Sequence, residues 1–499
     1  MSPPKSALAR TDTTPHTEGF VSASEKISTS ERYSPQLGIR IKNINAESAL
    51  RRQVAVECAA PVHRLPPELL SEIFVHLTES NLLGYNSQKE GRNYAAHLIA
   101  TTVACVCVSW RAAALATPRL WSRIHVDEQT RHLDAYVRTC ISRSRKHGLE
   151  IVCTAARHLP AVIAGILPHA PRWESISLGG FFKDFCSIAP GHHFARLRDA
   201  SLSINSLVDN EAGTFEFLAN APSLRQVRLN AMETIYHEPT KLPSSWQLAR
   251  LHLDLDDICH LRPLVATLAQ YQATLEDLIC AFDDDIRSST LEGVIDPIQL
   301  PVLGSIELSR HAFMLFSYLN APKISEIIFI DTEARNGLPY GRLLTFLTLP
   351  SSPLTHLRRL RLMETYHAFD EETSEGLLRC LELMDELQEL DVSCSAQSTF
   401  AFGYPDWMGE DMSLTLWTGL TVREGRRPVL PNLLVLRLYL GTEWLTDQQR
   451  REQHDSLTVM ALSRKRARVV QGRQVVALER VEVDRGRDSS ILSRLSVTG

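Results

Sequence analysis

Apolar residues recur along the chain in one frame, apolar-x-x-apolar-x-apolar. It appears as Trp121-Ile124-Val126, more loosely as Leu149-Ile151-Cys153, then as Trp173-Ile176-Leu178, Leu197-Ala200-Leu202 and Leu224-Val227-Leu229. It continues as Leu248-Leu251-Leu253, Leu275-Leu278-Cys280, Leu303-Ile306-Leu308 and Ile324-Ile327-Phe329, and returns as Leu357-Leu360-Leu362, Leu387-Leu390-Val392, Leu433-Leu436-Leu438 and Leu478-Val481-Val483. From Val126 to Leu308 the last positions lie 24 to 28 residues apart; the later steps are 21, 33, 30, 46 and 45, so the C-terminal repeats carry insertions. That period is the one expected of a solenoid, in which a short strand and a helix alternate and neither buries its apolar face without its neighbours. Helical stretches fill several gaps: FEFLANAPS, LVATLAQYQATL, FMLFSYLNAP and EGLLRCLELMDEL. The predicted fold is an α/β solenoid over 122–485, preceded by a small all-α module over 62–121.

The helical module begins at VHRLPPELLSEIFVHL. Pro66 and Pro67 suit a first helical turn, and Glu68 complements the helix N-terminus. Leu69, Leu70, Ile73, Phe74 and Leu77 read as one helical face. A second helical pattern, AAHLIATTVACVCVSWRAAALA, places Val103, Val106, Cys107 and Trp110 together and ends at Pro118. Residues 1–44, rich in Ser, Thr, Pro and charge, are expected to be a disordered tail. Residues 45–61 are expected to form a short helix or linker, and 486–499 a flexible C-terminus.

Composition narrows the classes. The 499 residues carry 44% hydrophobic residues and a formal net charge of −5, which gives no reason to expect nucleic acid or an anionic membrane as partner. Ten scattered cysteines, several inside apolar runs, look like reduced buried thiols. No secretory h-region and no apolar run of spanning length occurs, so a protein of cytoplasm or nucleus is expected.

The module resembles an F-box. The residues that carry the likeness are Leu65-Pro66-Pro67-Glu68-Leu69-Leu70, Ile73-Phe74, Leu77, Val106-Cys107-Val108-Ser109-Trp110-Arg111 and Thr117-Pro118-Arg119-Leu120-Trp121. It departs from the family where an Asp-Leu pair often follows the first helix; here Ser80-Asn81-Leu82 and a polar loop stand instead. The repeats, with the terminal LTVMALSRKRARVVQGRQVVALERVEV, resemble those of F-box proteins with leucine-rich C-terminal domains. The resemblance implies a non-catalytic substrate-recognition adaptor that binds an SKP-type adaptor and, through it, a cullin–RING ubiquitin ligase. Leu65, Pro66, Leu69, Ile73, Phe74, Val106 and Trp110 are the candidates for adaptor contact, with Phe74 and Trp110 also fitting the module's own core. Two other readings stay open: a leucine-rich repeat scaffold without a ligase, and an unrecognised hydrolase in the repeat groove.

Residues between the apolar positions of a strand point to its other face, which in a solenoid is the concave binding surface. Arg228, Arg250, His252, Arg361, Arg437 and Tyr439 are the client-binding candidates there, for a protein client not identified by sequence. The clusters Asp254-Asp256-Asp257 and Asp283-Asp284-Asp285 suit either a basic client segment or solvated loops. No phosphate loop, dinucleotide turn, H-E-x-x-H or nucleophile elbow occurs, so no catalytic, cofactor or metal residue is named. Cys105-x-Cys107 on a helix is a poor metal pair, and His192-His193 reads as surface loop. The run Arg464-Lys465-Arg466-Ala467-Arg468 reads as a basic helix end that complements the dipole, with a nuclear signal as the alternative.

Overall fold

The computed structural model describes residues 65–80, 95–189, 191–205, 216–232, 242–255, 261–282, 297–332, 338–349, 355–363, 371–394, 414–440 and 447–484. The expectations for 1–44, 45–61, 486–499, Asp256, Asp257 and Asp283-Asp284-Asp285 lie outside these residues. Leu65 and Pro66 are the described end of a unit running Met1–Pro66, and the remainder of the chain, Pro67–Gly499, forms a second unit.

Among the described residues, the second unit opens with α1 (Pro67–Ser80), α2 (Ala95–Val106) and α3 (Val108–Ala116). α1 packs on both of the others. The continuous second helix that the pattern suggests is in fact broken at Cys107. Its backbone is extended (φ −156, ψ 174), and its Sγ accepts from the Trp110 N–H at 3.4 Å as the N-cap of α3. Arg111 Nε ties the two pieces by donating to the Ala104 carbonyl at 2.8 Å.

The rest of the described chain is α/β, built on an open sheet of thirteen strands in chain order. They are β1 (Arg123–Val126), β2 (Leu149–Cys153), β3 (Trp173–Phe181), β4 (Asp199–Asn205), β5 (Gln226–Met232), β6 (Arg250–Leu255) and β7 (Asp277–Phe282). Next come β8 (Ser305–Arg310), β9 (Glu326–Ile330), β10 (Arg359–Met363), β11 (Glu389–Cys394), β12 (Val435–Leu440) and β13 (Arg480–Asp484). Every neighbouring pair is parallel. The apolar frame sets the register. Ile151, Ile176, Ala200, Val227, Leu251, Leu278, Ile306, Ile327, Leu360, Leu390, Leu436 and Val481 align from β2 to β13 and are buried. A one-residue slip would turn each apolar row to the wrong face, which is why so regular a pattern specifies one pairing.

The connections cover this apolar face. Those that are helical include α4 (Leu133–Ser144), α5 (Leu159–Ile166), α6 (Leu261–Gln270), α7 (Leu338–Leu347), α8 (Glu371–Leu381), α9 (Leu414–Leu420) and α10 (Asp447–Ser463). Two of the expected helices are tighter than anticipated: FEFLANAPS keeps only a 3₁₀ turn at Glu216–Leu218, and FMLFSYLNAP lies in a 3₁₀ stretch, His311–Tyr318, that ends in a two-residue strand. Aromatic donors tie successive connections together. Trp246 Nε1 donates to the Leu218 carbonyl at 2.9 Å and Tyr271 Oη to that of Pro243 at 2.9 Å. Cys153 and Cys380 are buried free thiols, and burial pushes them up to about 11 and about 12.

The terminal basic run departs from expectation. Arg464 comes after α10 but does not serve its helix end in solvent; the residue is completely buried. Its Nε donates to the Leu420 carbonyl and Nη1 to that of Leu430, each at 2.9 Å, and Nη2 donates to that of Val429. Beyond it a hairpin pairs Arg468–Val470 with Arg473–Val475 across Gln471 and Gly472, both at positive φ (48 and 75). Two such residues make the turn that twists a tight hairpin correctly. The hairpin packs Val470 and Val475 against Val422.

Candidate docking surfaces

Two surfaces are candidates for docking: an apolar stripe on α1 and the polar face of the sheet. The five α1 residues expected on one face divide into two stripes. Leu70 and Phe74 point inward and are buried, with the Phe74 ring 5.1 Å from that of Trp110. Leu69, Ile73 and Leu77, at i, i+4 and i+8, remain 51%, 42% and 45% exposed. Spacing by four keeps side chains on one line along a helix, so the exposed set forms a continuous ridge. At the α2–α3 break Val106 and Val108 are also exposed. Solvated leucine or valine singly needs no explanation, but an unbroken apolar helix ridge is what a partner covers.

Among the seven candidates for adaptor contact, Leu69, Ile73, Val106 and Pro66 are therefore exposed and Leu65 is half-buried. Of the two places expected for Phe74, the structure shows the core: it has no exposed surface, so it is not among the exposed candidates for adaptor contact. Trp110 is half-buried, and its indole Nε1 is buried with no hydrogen-bond partner among the described residues. Trp121 anchors the helices to the first strand-and-helix repeat. Its Nε1 donates to the Ala114 carbonyl at 2.7 Å, and the Arg143 guanidinium of α4 lies 4.4 Å from its ring centre.

On the sheet, the residues between the apolar rows form three polar rows. The middle one runs Ser177, Ser201, Arg228, His252, Ile279, Glu307, Ile328, Arg361, Asp391, Arg437, Glu482 from β3 to β13. Arg250 and Arg359 lie in the row below and Tyr439 in the row above, so all six client-binding candidates share this face.

From β9 to β13 the charges neutralise one another. Arg359 reaches Glu326 and Glu389, each at 3.2 Å. Arg361 Nε lies 3.3 Å from Glu326 and 3.4 Å from Asp391. Arg437 contacts Asp391 at 2.9 Å, Glu389 at 3.0 Å and Glu482 at 3.3 Å, and Glu482 also pairs with Arg480. The Arg359 hydrogen bond holds the Glu389 carboxyl below the usual carboxylate range. Glu307 goes the other way, because burial and then the neighbouring Glu326 raise it. Forked guanidinium donors suit this bridging across strands. Tyr439 stands outside the network and is exposed.

Burial, with Arg228 beside it, lowers His252 from 6.5 to about 4. An unfolded imidazole takes up its proton below about pH 6.5, whereas the folded one resists until about 4, so stability is lost as the pH falls through that window. His252→Asn is expected to lessen the loss of stability between pH 7 and 5. Urea midpoints of parent and variant at the two values check this; equal shifts would contradict it.

Cys105-x-Cys107 is split by the helix break, and His193 Nδ1 faces Asn220 Oδ1 at 3.2 Å. Among the described residues no His, Cys, Asp and Glu group is arranged to hold a metal, and no helix is long and apolar enough to cross a membrane. The signal for the hairpin was present in Gln471-Gly472, a glycine-containing pair set between Val469-Val470 and Val475-Val476. For the inward turn of Arg464 the sequence carries none. No protein-family model matches the chain, and a search of curated proteins finds no match.

Proposed function

We propose that the chain is the substrate-recognition subunit of an SKP–cullin–F-box ubiquitin ligase. In this reading α1 to α3 are the F-box that holds an SKP-type adaptor. The sheet is the inner face of a leucine-rich repeat horseshoe that holds a protein client. The chain itself performs no catalysis. The observation that carries the reading is the exposed ridge Leu69-Ile73-Leu77 on a helix whose other side is already filled by Leu70 and Phe74. A ridge left apolar in this way suits coverage by partner helices. The contacts of Trp121 with Ala114 of α3 and Arg143 of α4 suit an adaptor whose task is to hold a client at a fixed place relative to a ligase.

The test is co-purification of the intact chain with an SKP-type adaptor and a cullin. Retention of both is expected. Failure to retain the adaptor while the sheet still captures a protein would make the chain a repeat scaffold without a ligase.

A further inference from the structure

The polar face of the sheet is charged along most of its length, yet its arginines are not equivalent. Arg123, Arg250, Arg359, Arg361, Arg437 and Arg480 each have a carboxylate within ion-pair distance. Arg228 is exposed and, among the described residues, has none. Of the acids on nearby strands, Asp199 on β4 stands one row below, outside ion-pair distance, and lies in the field of Arg198 and Arg250. Asp254 accepts from Asn230 Nδ2 at 3.2 Å, and Asp277 pairs with Arg250 at 2.8 Å. Glu307 lies three strands away on the same row and feels the Arg228 charge without being in contact. Ligand binding at Arg361 or Arg437 must first displace a fixed carboxylate, whereas binding at Arg228 displaces only water.

The immediate neighbours of Arg228 extend the site. Ser201 on β4 and His252 on β6 stand at its level in the ladder, and both are half-buried. A hydroxyl, a guanidinium and an imidazole thus lie side by side on three adjacent strands, about 4.8 Å apart from one to the next. On the side away from β4, the next residue of the row is Ile279, half-buried and apolar.

We propose that Arg228, flanked by Ser201 and His252, takes an acidic side chain of a client segment in the polyproline II conformation whose apolar residue, about three positions away, rests on Ile279. This rests on the reading of the sheet as the client-binding face. The spacing comes from geometry: two strand intervals of about 4.8 Å make about 9.6 Å, and a polyproline II segment, rising about 3.1 Å per residue with three residues per turn, presents every third side chain to one face at nearly that distance. The acidic group is a carboxylate or a phosphoryl group. Arginine takes either as a bidentate partner, and the serine hydroxyl serves an oxygen of either.

The test uses the full-length chain on a synthetic peptide array. One position carries Asp, Glu, phosphoserine, Ser or Lys, and a second carries Leu or Ala at varied spacing. Retention is expected to require an acidic residue with Leu about three positions from it, and the Glu and phosphoserine arms separate the two sources of negative charge. Arg228→Glu is expected to weaken acidic peptides by about tenfold or more and to favour the Lys series, with Arg228→Met intermediate. Thermal melts of both variants, unchanged because Arg228 is exposed, exclude unfolding as the cause. Retention indifferent to the acidic position, unaltered by Arg228→Glu, or absent altogether overturns the proposal. Capture of an SKP-type adaptor by the same preparations reports separately on the ligase role. Capture without acidic selectivity removes only this client class; acidic selectivity without capture leaves the cradle in place on a scaffold.

Discussion

Replacing Arg464 with alanine is expected to destabilise the C-terminal part of the sheet by about 3–5 kcal/mol, more than almost any surface substitution. The side chain is completely buried, and all three guanidinium nitrogens donate to carbonyls of residues 420–430. Among the described residues no carboxylate lies within ion-pair distance, so its charge is stabilised by carbonyl dipoles alone. Burial, then Arg468, lowers its pKa to about 10, which still leaves it a cation at neutral pH. Alanine removes three donors at once. The Leu430 carbonyl still accepts from the Leu433 N–H at 3.3 Å, but those of Leu420 and Val429 lose their donor; each buried carbonyl left without a partner costs about 1–3 kcal/mol, and a cavity adds to this. Arg464→Met restores volume but not donors, so it should recover only part of the loss. Arg464→Lys supplies a point charge in place of a fork and should fall between methionine and the parent. Urea unfolding reads the size of the effect. Hydrogen exchange should place it in residues 414–484, since each strand of the thirteen-stranded sheet pairs only with its neighbours in that sheet's chain order. An alanine variant within 1 kcal/mol of the parent, on the scale of an ordinary surface change, would show that these carbonyls find other donors.

That arginine also marks where sequence reading ends. The thirteen strands were legible because their apolar positions repeat in one frame and each is buried in register, from Ile124 and Ile151 to Val481. Period reports which face a residue takes within its own element. It is silent on contacts between elements distant in sequence, such as Arg464 with Leu420, and it read a basic run after a helix as solvent-facing. The same limit applies to the charges on the sheet. Alternation placed Arg228, Arg361 and Arg437 on one face, but only the side-by-side order of strands shows that two of them are neutralised and one is not. Within helices the difficulty is finer. Leu69 and Leu70, or Ile73 and Phe74, are adjacent and equally apolar, so a face counted from apolar positions merges inward and outward residues. The break at Cys107 was concealed because the helical spacing of Val103, Val106, Cys107 and Trp110 runs straight through it. A cysteine N-cap is not among the residues that usually announce a helix start.

The division of α1 gives the second large effect, and it distinguishes binding from folding within a few consecutive residues. Phe74→Ala removes a fully buried ring that packs on Trp110, and about 3–5 kcal/mol of stability should go with it. Leu69→Asp with Ile73→Asp should lower the melting temperature only modestly, because both side chains are about half exposed and the cost is that of poorer helix propensity and like charges at i and i+4. In the proposed ligase, however, the same double variant should lose adaptor binding by about a hundredfold or more. It removes two apolar contacts and requires two carboxylates to be desolvated beneath the partner. Calorimetric melts together with titration of an SKP-type adaptor into parent, Phe74→Ala and the double variant separate the two roles. Normal adaptor affinity in the folded double variant would move the docking surface off this ridge. A stable Phe74→Ala would mean that the Phe74–Trp110 contact does not hold the helices together.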